Sequence, residues 1–263
     1  MGALFRYEGK AGLKSFLIWV LFVGGMGLCC ILLFKSMEES MAEMAENFAS
    51  MGAFSEAFGM STLSIATAKG FFATEVGTIH ALGGSMFAAS IATVILSKEE
   101  DGHMAEFTYT MPLSRGKVVV VKLLSVLASL VSFTLVCGIF YCLGFAFIGE
   151  EIPMKEMLCY LLSQLLMNLE IAAICVLISS VSKKNRLGVG IGIAMTLYLF
   201  DLIARVIPDL KDIIFLSPFA YANATEIFAR TIDQGRAIVF GVEVIIVCIV
   251  SATMIYTTRD LAS

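Results

Sequence analysis

Six long apolar segments constrain the fold of this chain more than any other feature of its sequence. An α-helix needs about 20 residues to cross the hydrocarbon core of a bilayer. Segments of that length occupy residues 15–34, 76–97, 118–148, 157–181, 187–207 and 237–257. Hydrophobic residues make up 59% of the chain, well above the roughly 45–50% typical of soluble domains. The sequence therefore predicts an all-α membrane protein, with six transmembrane helices in a single domain over residues 1–263.

The distribution of positive charge predicts how these spans are oriented. Most of the 18 Lys and Arg residues lie in the N-terminal tail, between the second and third spans, between the fourth and fifth spans, and after the last span. Short loops rich in Lys and Arg stay on the cytoplasmic side. We therefore expect a multi-pass protein of the plasma membrane with both termini in the cytoplasm.

One polar segment, residues 98–117, interrupts the apolar sequence on the predicted cytoplasmic side. Met104, Phe107 and Met111 recur there at helical spacing, and Pro112 is expected to end the helix at or before Met111. A solvated loop has no need of such an apolar edge, so the pattern predicts a short docking helix.

The third span starts directly after this segment. We expect Ser114 to cap its first turn. Lys122, two turns into the helix, is expected to extend its ammonium group to the cytoplasmic interface while its stem lies among apolar groups.

Two segments on the opposite side are also predicted to be structured. Residues 37–51 alternate Met and Phe with Glu at helical spacing, which predicts an amphipathic helix that rests on the protein or the membrane, or contacts a substrate or a second subunit. Residues 213–232 are too apolar for a free loop and contain Pro218, so we expect a broken or re-entrant helical pair before the last span.

Several polar side chains fall inside the predicted spans. Asn168, Glu170 and Glu243 form a candidate translocation path, because a carboxylate at a helix centre costs about 2.5–3.5 kcal/mol and should not face lipid. A polar contact between helices remains an alternative for Glu170, and Glu243 lies close enough to the outer end of its span to reach the interface. Asp201 and Arg205, spaced i, i+4, are expected to neutralise each other.

The sequence lacks the common signatures of catalysis. No Gly-x-x-x-x-Gly-Lys-Ser/Thr loop for phosphates occurs, so the chain is not expected to hydrolyse ATP by itself. The seven cysteines form no Cys-x-x-Cys pair and only two histidines are present, so we predict no metal site, no catalytic residues and no cofactor in this chain. We also expect no nucleic-acid partner.

The run "ILSKEEDGHMAEFTYTMPLSRGKVVVVKLL" resembles the hallmark segment of type-2 ABC transporter permeases. In that family an acidic pair, Gly-Thr, Glu, Pro-x-Ser-Arg and Gly-Lys follow one another in this order. The matching positions are Glu99, Glu100, Gly102, Glu106, Pro112, Ser114, Arg115 and Lys122. His103 replaces the usual Thr, and Val121 replaces the Gly before Lys122.

This resemblance implies the permease subunit of an exporter. Two separate cytoplasmic ATPase subunits would bind ATP and magnesium, and a second permease subunit, identical or different, would complete the membrane part. Residues 98–111 would form a coupling helix that docks on an ATPase, and residues 4–14 an interface helix along the inner leaflet. The implied coupling residues are Glu99, Glu100, Gly102, Met104, Glu106, Phe107, Met111, Pro112, Ser114 and Arg115.

The transported molecule is expected to be hydrophobic, amphipathic or peptide-like, because the spans offer few buried charges. The alternative hypothesis is a secondary carrier coupled to protons or ions, which would use the intramembrane carboxylates Glu170 and Glu243.

Overall fold

A computed structural model of the chain describes residues 1–58, 60, 62–102, 114–231 and 235–259. All regular structure in these ranges is helical. The α-helices are α1 (Gly2–Val20), α2 (Met26–Ala49), α3 (Ala53–Phe58), α4 (Ala68–Phe71), α5 (Gly77–Val94), α6 (Lys98–Asp101), α7 (Arg115–Ile148), α8 (Met154–Val181), α9 (Leu187–Val206), α10 (Ala224–Ala229) and α11 (Gly235–Thr258).

Five helical segments in the described ranges are long and apolar enough to cross a membrane. They are Gly2–Glu43, Arg115–Ile148, Met154–Val181, Leu187–Val206 and Gly235–Thr258. The segment that corresponds to the predicted second span, α5, is more polar, because it carries His80, Ser85 and Thr93, all of which are completely buried. Since α5 packs against both α8 and α9, these polar groups lie inside the bundle.

The long helices pack side by side. α8 contacts α5 and α11, and α1 and α2 both pack on α7. Aromatic side chains fill the centre, where Phe72, Phe133, Tyr141 and Tyr160 are completely buried. We call the end of the bundle that holds α6 the α6 end, and the opposite end, which holds the loop between α7 and α8, the far end.

The structure differs from the prediction of a separate interface helix over residues 4–14. α1 runs without a break from Gly2 to Val20, and only then does a π-helical turn, Leu21–Gly25, lead into α2. Leu4 forms a small apolar cluster with Val118 and Val121 of α7. The N-terminal residues therefore pack on the bundle as the first turns of one long helix.

The predicted amphipathic helix over residues 37–51 largely coincides with the last part of α2, which ends at Ala49. Met37 and Met51 are exposed. Lys35 and Glu38 form an exposed ion pair, with 3.0 Å between Nζ and Oε2.

Between α9 and α11 the chain is broken into short pieces at the far end. A 3₁₀-helix, Pro208–Leu216, is followed by a turn that contains Pro218, by a second 3₁₀-helix, Ala220–Ala222, and by α10. The residues from Ser217 to Ala222 are buried. A side chain of α8 supports this irregular backbone, because Gln164 Nε2 donates to the carbonyl oxygen of Ala222 at 2.9 Å.

Candidate coupling site

A buried lysine holds the start of the predicted coupling segment against the bundle. Lys122 of α7 is completely buried, and its ammonium group lies 2.5 Å from Glu99 Oε1 of α6. The same group donates to the carbonyl oxygen of Ile95 at 2.5 Å. The prediction that Lys122 extends to the membrane interface is therefore wrong. Its side chain points into the protein because its counter-charge, Glu99, lies there.

The N-terminal helix contributes a second carboxylate to this group of charges. Glu8 of α1 is buried and forms an ion pair with Lys98. Its other carboxylate oxygen lies 3.8 Å from the ammonium group of Lys122, close enough for attraction but too far for a hydrogen bond. Lys98 also lies over the ring of Tyr7, 5.8 Å from its centre.

The adjacent carboxylate, Glu100, is paired with the last helix. It forms an ion pair with Arg259, which directly follows α11. Arg259 Nη1 also donates to the carbonyl oxygen of Ser182 at 3.1 Å. The main chain of Arg259 in turn accepts a hydrogen bond from Arg115 Nη1 at 2.9 Å. We call the six charged side chains of these contacts the ion-pair cluster: Glu8, Lys98, Glu99, Glu100, Lys122 and Arg259.

The ion-pair cluster connects α6 firmly to the long helices. Its members come from α1, α6, α7 and the end of α11, so three other elements meet at the four-residue helix α6. A buried charge that loses its partner costs about 3–5 kcal/mol, so these contacts hold α6 in one position relative to the long helices. A displacement of α6 must therefore displace those helices or break ion pairs.

A second polar contact lies inside the bundle, between α8 and the broken segment at the far end. Glu170 of α8 is buried, and its Oε2 accepts a hydrogen bond from the hydroxyl of Tyr221 at 2.7 Å. Gly241 of α11 leaves the space for this contact, since a Cβ there would lie 2.5 Å from Glu170 Oε2. The predicted intramembrane carboxylate is thus held by a polar helix contact.

The other two predicted path residues lie elsewhere. Asn168 is completely buried and faces Gly84 of α5, and neither of its amide atoms has a hydrogen-bond partner among the residues that the structure describes. Glu243 is exposed on α11. It lies two residues from Gly241, which places it about 200° around the helix from the contact with Glu170. The structure therefore does not bring Glu243 and Glu170 together.

A family model described as "ABC-2 family transporter protein" matches residues 4–261, nearly the whole chain. The chain belongs to the ABC-2 transporter family. This match confirms the resemblance noted in the sequence. It is accordingly a multi-pass ABC transporter permease, a membrane transport component that works with ABC ATPase subunits. Membership of this family does not favour the carrier hypothesis. No curated protein shows significant similarity to the chain.

The structure places only part of the permease's predicted coupling set. Met104, Glu106, Phe107, Met111 and Pro112 lie outside the described residues, as does His103. Glu99 and Glu100 are buried in the ion-pair cluster, where they pair with Lys122 and Arg259. Gly102 is exposed and Arg115 is half-buried. Ser114 occupies the N-cap position of α7, but its side chain makes no capping hydrogen bond.

Sequence reasoning missed three members of the cluster: Glu8, Lys98 and Arg259. Glu8 had a usable signal, because it stands one helical turn after Leu4 on the buried side of α1. The partners of Lys98 and Arg259 lie 90 and 159 residues away in the chain, and no local pattern indicates such pairs. The Asp201–Arg205 pair, by contrast, is confirmed, with 2.7 Å between Oδ2 and Nε.

The contact between Tyr221 and Glu170 can be tested by removing a single oxygen atom. The substitution Tyr221→Phe in the permease leaves the buried carboxyl group of Glu170 without its hydroxyl donor, so we expect the free energy of unfolding to fall by about 1–3 kcal/mol. Thermal unfolding in lipid nanodiscs measures the effect. Tyr7→Phe is the matched control, because Tyr7 is exposed. Equal melting temperatures for the two variants would show that this hydrogen bond does not stabilise the bundle.

Proposed function

We propose that the chain is the permease subunit of an ATP-driven exporter. It would couple ATP hydrolysis by two separate cytoplasmic ATPase subunits to the export of a hydrophobic, amphipathic or peptide-like molecule. The observation that carries this proposal is the ion-pair cluster, which fixes α6, the first turn of the predicted coupling segment, to α1, α7 and the end of α11.

In this mechanism the apolar edge of residues 104–111 docks on an ATPase subunit, where ATP and magnesium bind. Closure of the two ATPases on ATP would displace residues 98–117. The ion pairs of α6 would pass this displacement to the long helices, because breaking a buried ion pair costs about 3–5 kcal/mol. The helices would then exchange between inward-open and outward-open arrangements. Such a two-state element, biased from a distant site, is what coupling requires.

The proposed membrane arrangement has six spans, with α5 as the second. α5 is lined with buried polar groups and is enclosed by α8 and α9, which suits a span that faces other helices more than lipid. Both termini and the α6 end would be cytoplasmic, because the Lys- and Arg-rich loops lie there. The broken segment at the far end would be re-entrant, and a second permease subunit, identical or different, would complete the assembly in the plasma membrane.

The docking edge provides the direct test of this function. Glu106→Arg and Phe107→Asp are each expected to abolish co-purification with the ATPase subunit and stimulation of its ATP hydrolysis. Glu106→Arg reverses a charge in the proposed interface, and Phe107→Asp buries a charge there. Glu151→Arg is the matched control, since Glu151 is an exposed residue at the far end. Normal co-purification and normal stimulation by both docking variants would refute the assignment.

The secondary-carrier hypothesis predicts a different outcome for permease alone in vesicles. Permease reconstituted into vesicles without any ATPase subunit would transport substrate along an ion gradient, and Glu170→Gln would abolish that transport. We expect no such transport, since Glu243 is exposed on α11 and lies apart from Glu170.

A further inference from the structure

Three exposed positive charges lie in a row on α1. Arg6, Lys10 and Lys14 are spaced four residues apart, which places their side chains along one face of the helix. We call them the basic row. Glu8 stands two residues from Arg6 and from Lys10, which is about 200° around the helix. It is buried on that opposite side and pairs with Lys98. No member of the basic row forms an ion pair with a residue in the described ranges.

An open depression lies beside the first two charges of the row. No acidic residue lines it, and its lining residues are Gly2, Ala3, Arg6, Tyr7 and Lys10. A Cβ placed at Gly2 would meet no atom of the described chain within 4 Å. The small side chains one turn before Arg6 therefore leave room beside its guanidinium group. A phosphate group could enter there and accept hydrogen bonds from Arg6 and Lys10.

An apolar stripe continues the same face of α1 towards the π-helical turn. Leu13, Leu17 and Leu21 each stand seven residues, or two turns, after one member of the basic row. They are 52%, 49% and 63% exposed, so the described chain leaves them largely uncovered. From Lys10 to Leu21 the helix rises about 16 Å, close to half of the roughly 30 Å hydrocarbon core. This face therefore offers positive charge at one level and an apolar surface through the depth of one leaflet.

The order of charge and leucine along α1 distinguishes between the possible occupants of this face. A water-soluble protein could cover the basic row, but it could not reach leucines that lie within a membrane span. A second copy of the chain that used the same face would bring two rows of like charge together, which disfavours the contact. A phospholipid has its charge and its hydrocarbon in the required order. Since the row contains only cations, a head with net negative charge fits better than one that carries its own ammonium group.

We infer that this face of α1 binds an anionic phospholipid from the leaflet at the α6 end. The phosphate lies in the depression against Arg6 and Lys10, and one acyl chain lies along the three leucines. Lys14, one turn deeper, extends its flexible stem back towards the head group. The inference depends on the position of α1 in the membrane and not on ATPase coupling, because it concerns binding in the absence of ATP.

Lipid binding to the purified full-length permease, in a neutral detergent and without ATP, tests the inference. Native mass spectrometry measures the dissociation constants of phosphatidylglycerol and of phosphatidylcholine with the same acyl chains. We expect phosphatidylglycerol to bind about tenfold more tightly, because each basic residue adds to the attraction of an anionic lipid. Excess glycerol 3-phosphate, which has the phosphate but no acyl chain, is not expected to displace the lipid.

Two triple variants separate this site from the general positive charge of the α6 end. Replacing all three members of the basic row with Gln is expected to abolish the preference for phosphatidylglycerol, while the exposed helix surface and its helix propensity are retained. The matched control combines Lys183→Gln, Lys184→Gln and Arg186→Gln, which removes the same three charges from exposed positions between α8 and α9. It should keep the tenfold preference. The single variant Lys10→Gln should reduce the preference about twofold and provides the test if the basic-row variant does not fold.

A preference for phosphatidylglycerol that is lost in the basic-row variant and kept in the control supports the inference. Equal affinity for the two lipids, displacement by glycerol 3-phosphate, or an equal loss in both triple variants would overturn it. A change from dimer to monomer in the basic-row variant, with unchanged lipid affinity, would instead assign this face to a second copy of the chain and would also overturn it. Failure of the docking variants at the ATPase would leave these results untouched.

Discussion

Replacing Lys122 with Met is expected to lower the free energy of unfolding of the permease by about 3–5 kcal/mol. Met is similar in length and apolar, so the packing around α7 is retained while the charge is lost. The carboxylates of Glu99 and Glu8 would then remain buried, Glu99 without its nearest counter-charge and the Ile95 carbonyl without its donor. The loss should appear as a large fall in melting temperature in nanodiscs.

A second substitution separates the charge effect from lost packing. In the double variant Lys122→Met with Glu99→Gln, the buried carboxylate is removed together with the lysine, so we expect a substantial part of the stability to return. Lys117→Met is the matched control, because Lys117 is exposed on the first turn of the same helix. If Lys122→Met and Lys117→Met melt at the same temperature, the ion-pair cluster does not hold α6 to the long helices as we describe.

The substitution Gly190→Leu in α9 is expected to prevent correct packing of α9 on α5. A Cβ at Gly190 would lie 2.0 Å from Thr93 Oγ1 and 3.3 Å from the carbonyl oxygen of Ala89. That hydroxyl already donates to the Ala89 carbonyl at 2.7 Å, so it has little freedom to move. Overpacking of this kind costs about 1–3 kcal/mol or more, and a leucine adds three further carbons. We expect little folded protein.

The matched control lies two residues away. Gly192 is exposed on the same helix, and a Cβ there would meet no atom of the described chain within 4 Å. A leucine at this position should be tolerated, because the space beside Gly192 is open and leucine has a better helix propensity than glycine. The yield of monodisperse protein and its melting temperature measure both variants. Comparable damage at the two positions would show that another chain covers the Gly192 face.

The sequence predicted the features of this permease that depend on local pattern. Helix content and the approximate positions of the long helices follow from apolar runs, since a bilayer demands about 20 apolar residues per crossing. The Asp201–Arg205 pair follows from spacing on one helix. Its extension to Glu226 depends on how the far-end segment folds back, and no spacing rule contains that information.

The errors arose where long-range contacts override local preference. A lysine near the end of a span is expected to extend its ammonium group to the membrane interface. The side chain of Lys122 points into the protein instead, because the turn after α5 places Glu99 beside it. The predicted boundary after residue 14, between an interface helix and the first span, is absent. The first turns of α1 pack on α7, so the helix continues without a break. For Glu243, the sequence located a costly charge but not the face of α11 that carries it.

The pairing of Glu100 with Arg259 also has a consequence for the biogenesis of the protein. Helices emerge from the ribosome in order, and 159 residues separate these two side chains. While α7, α8 and α9 are inserted into the membrane, the carboxylate of Glu100 has no arginine to meet. Only when α11 has been inserted does Arg259 reach it and the Ser182 carbonyl. Chains whose translation stops before Arg259 would thus leave Glu100 unpaired, although Glu99 would still pair with Lys122 and Lys98 with Glu8, and a protease that cleaves near residue 100 should distinguish them from finished permease.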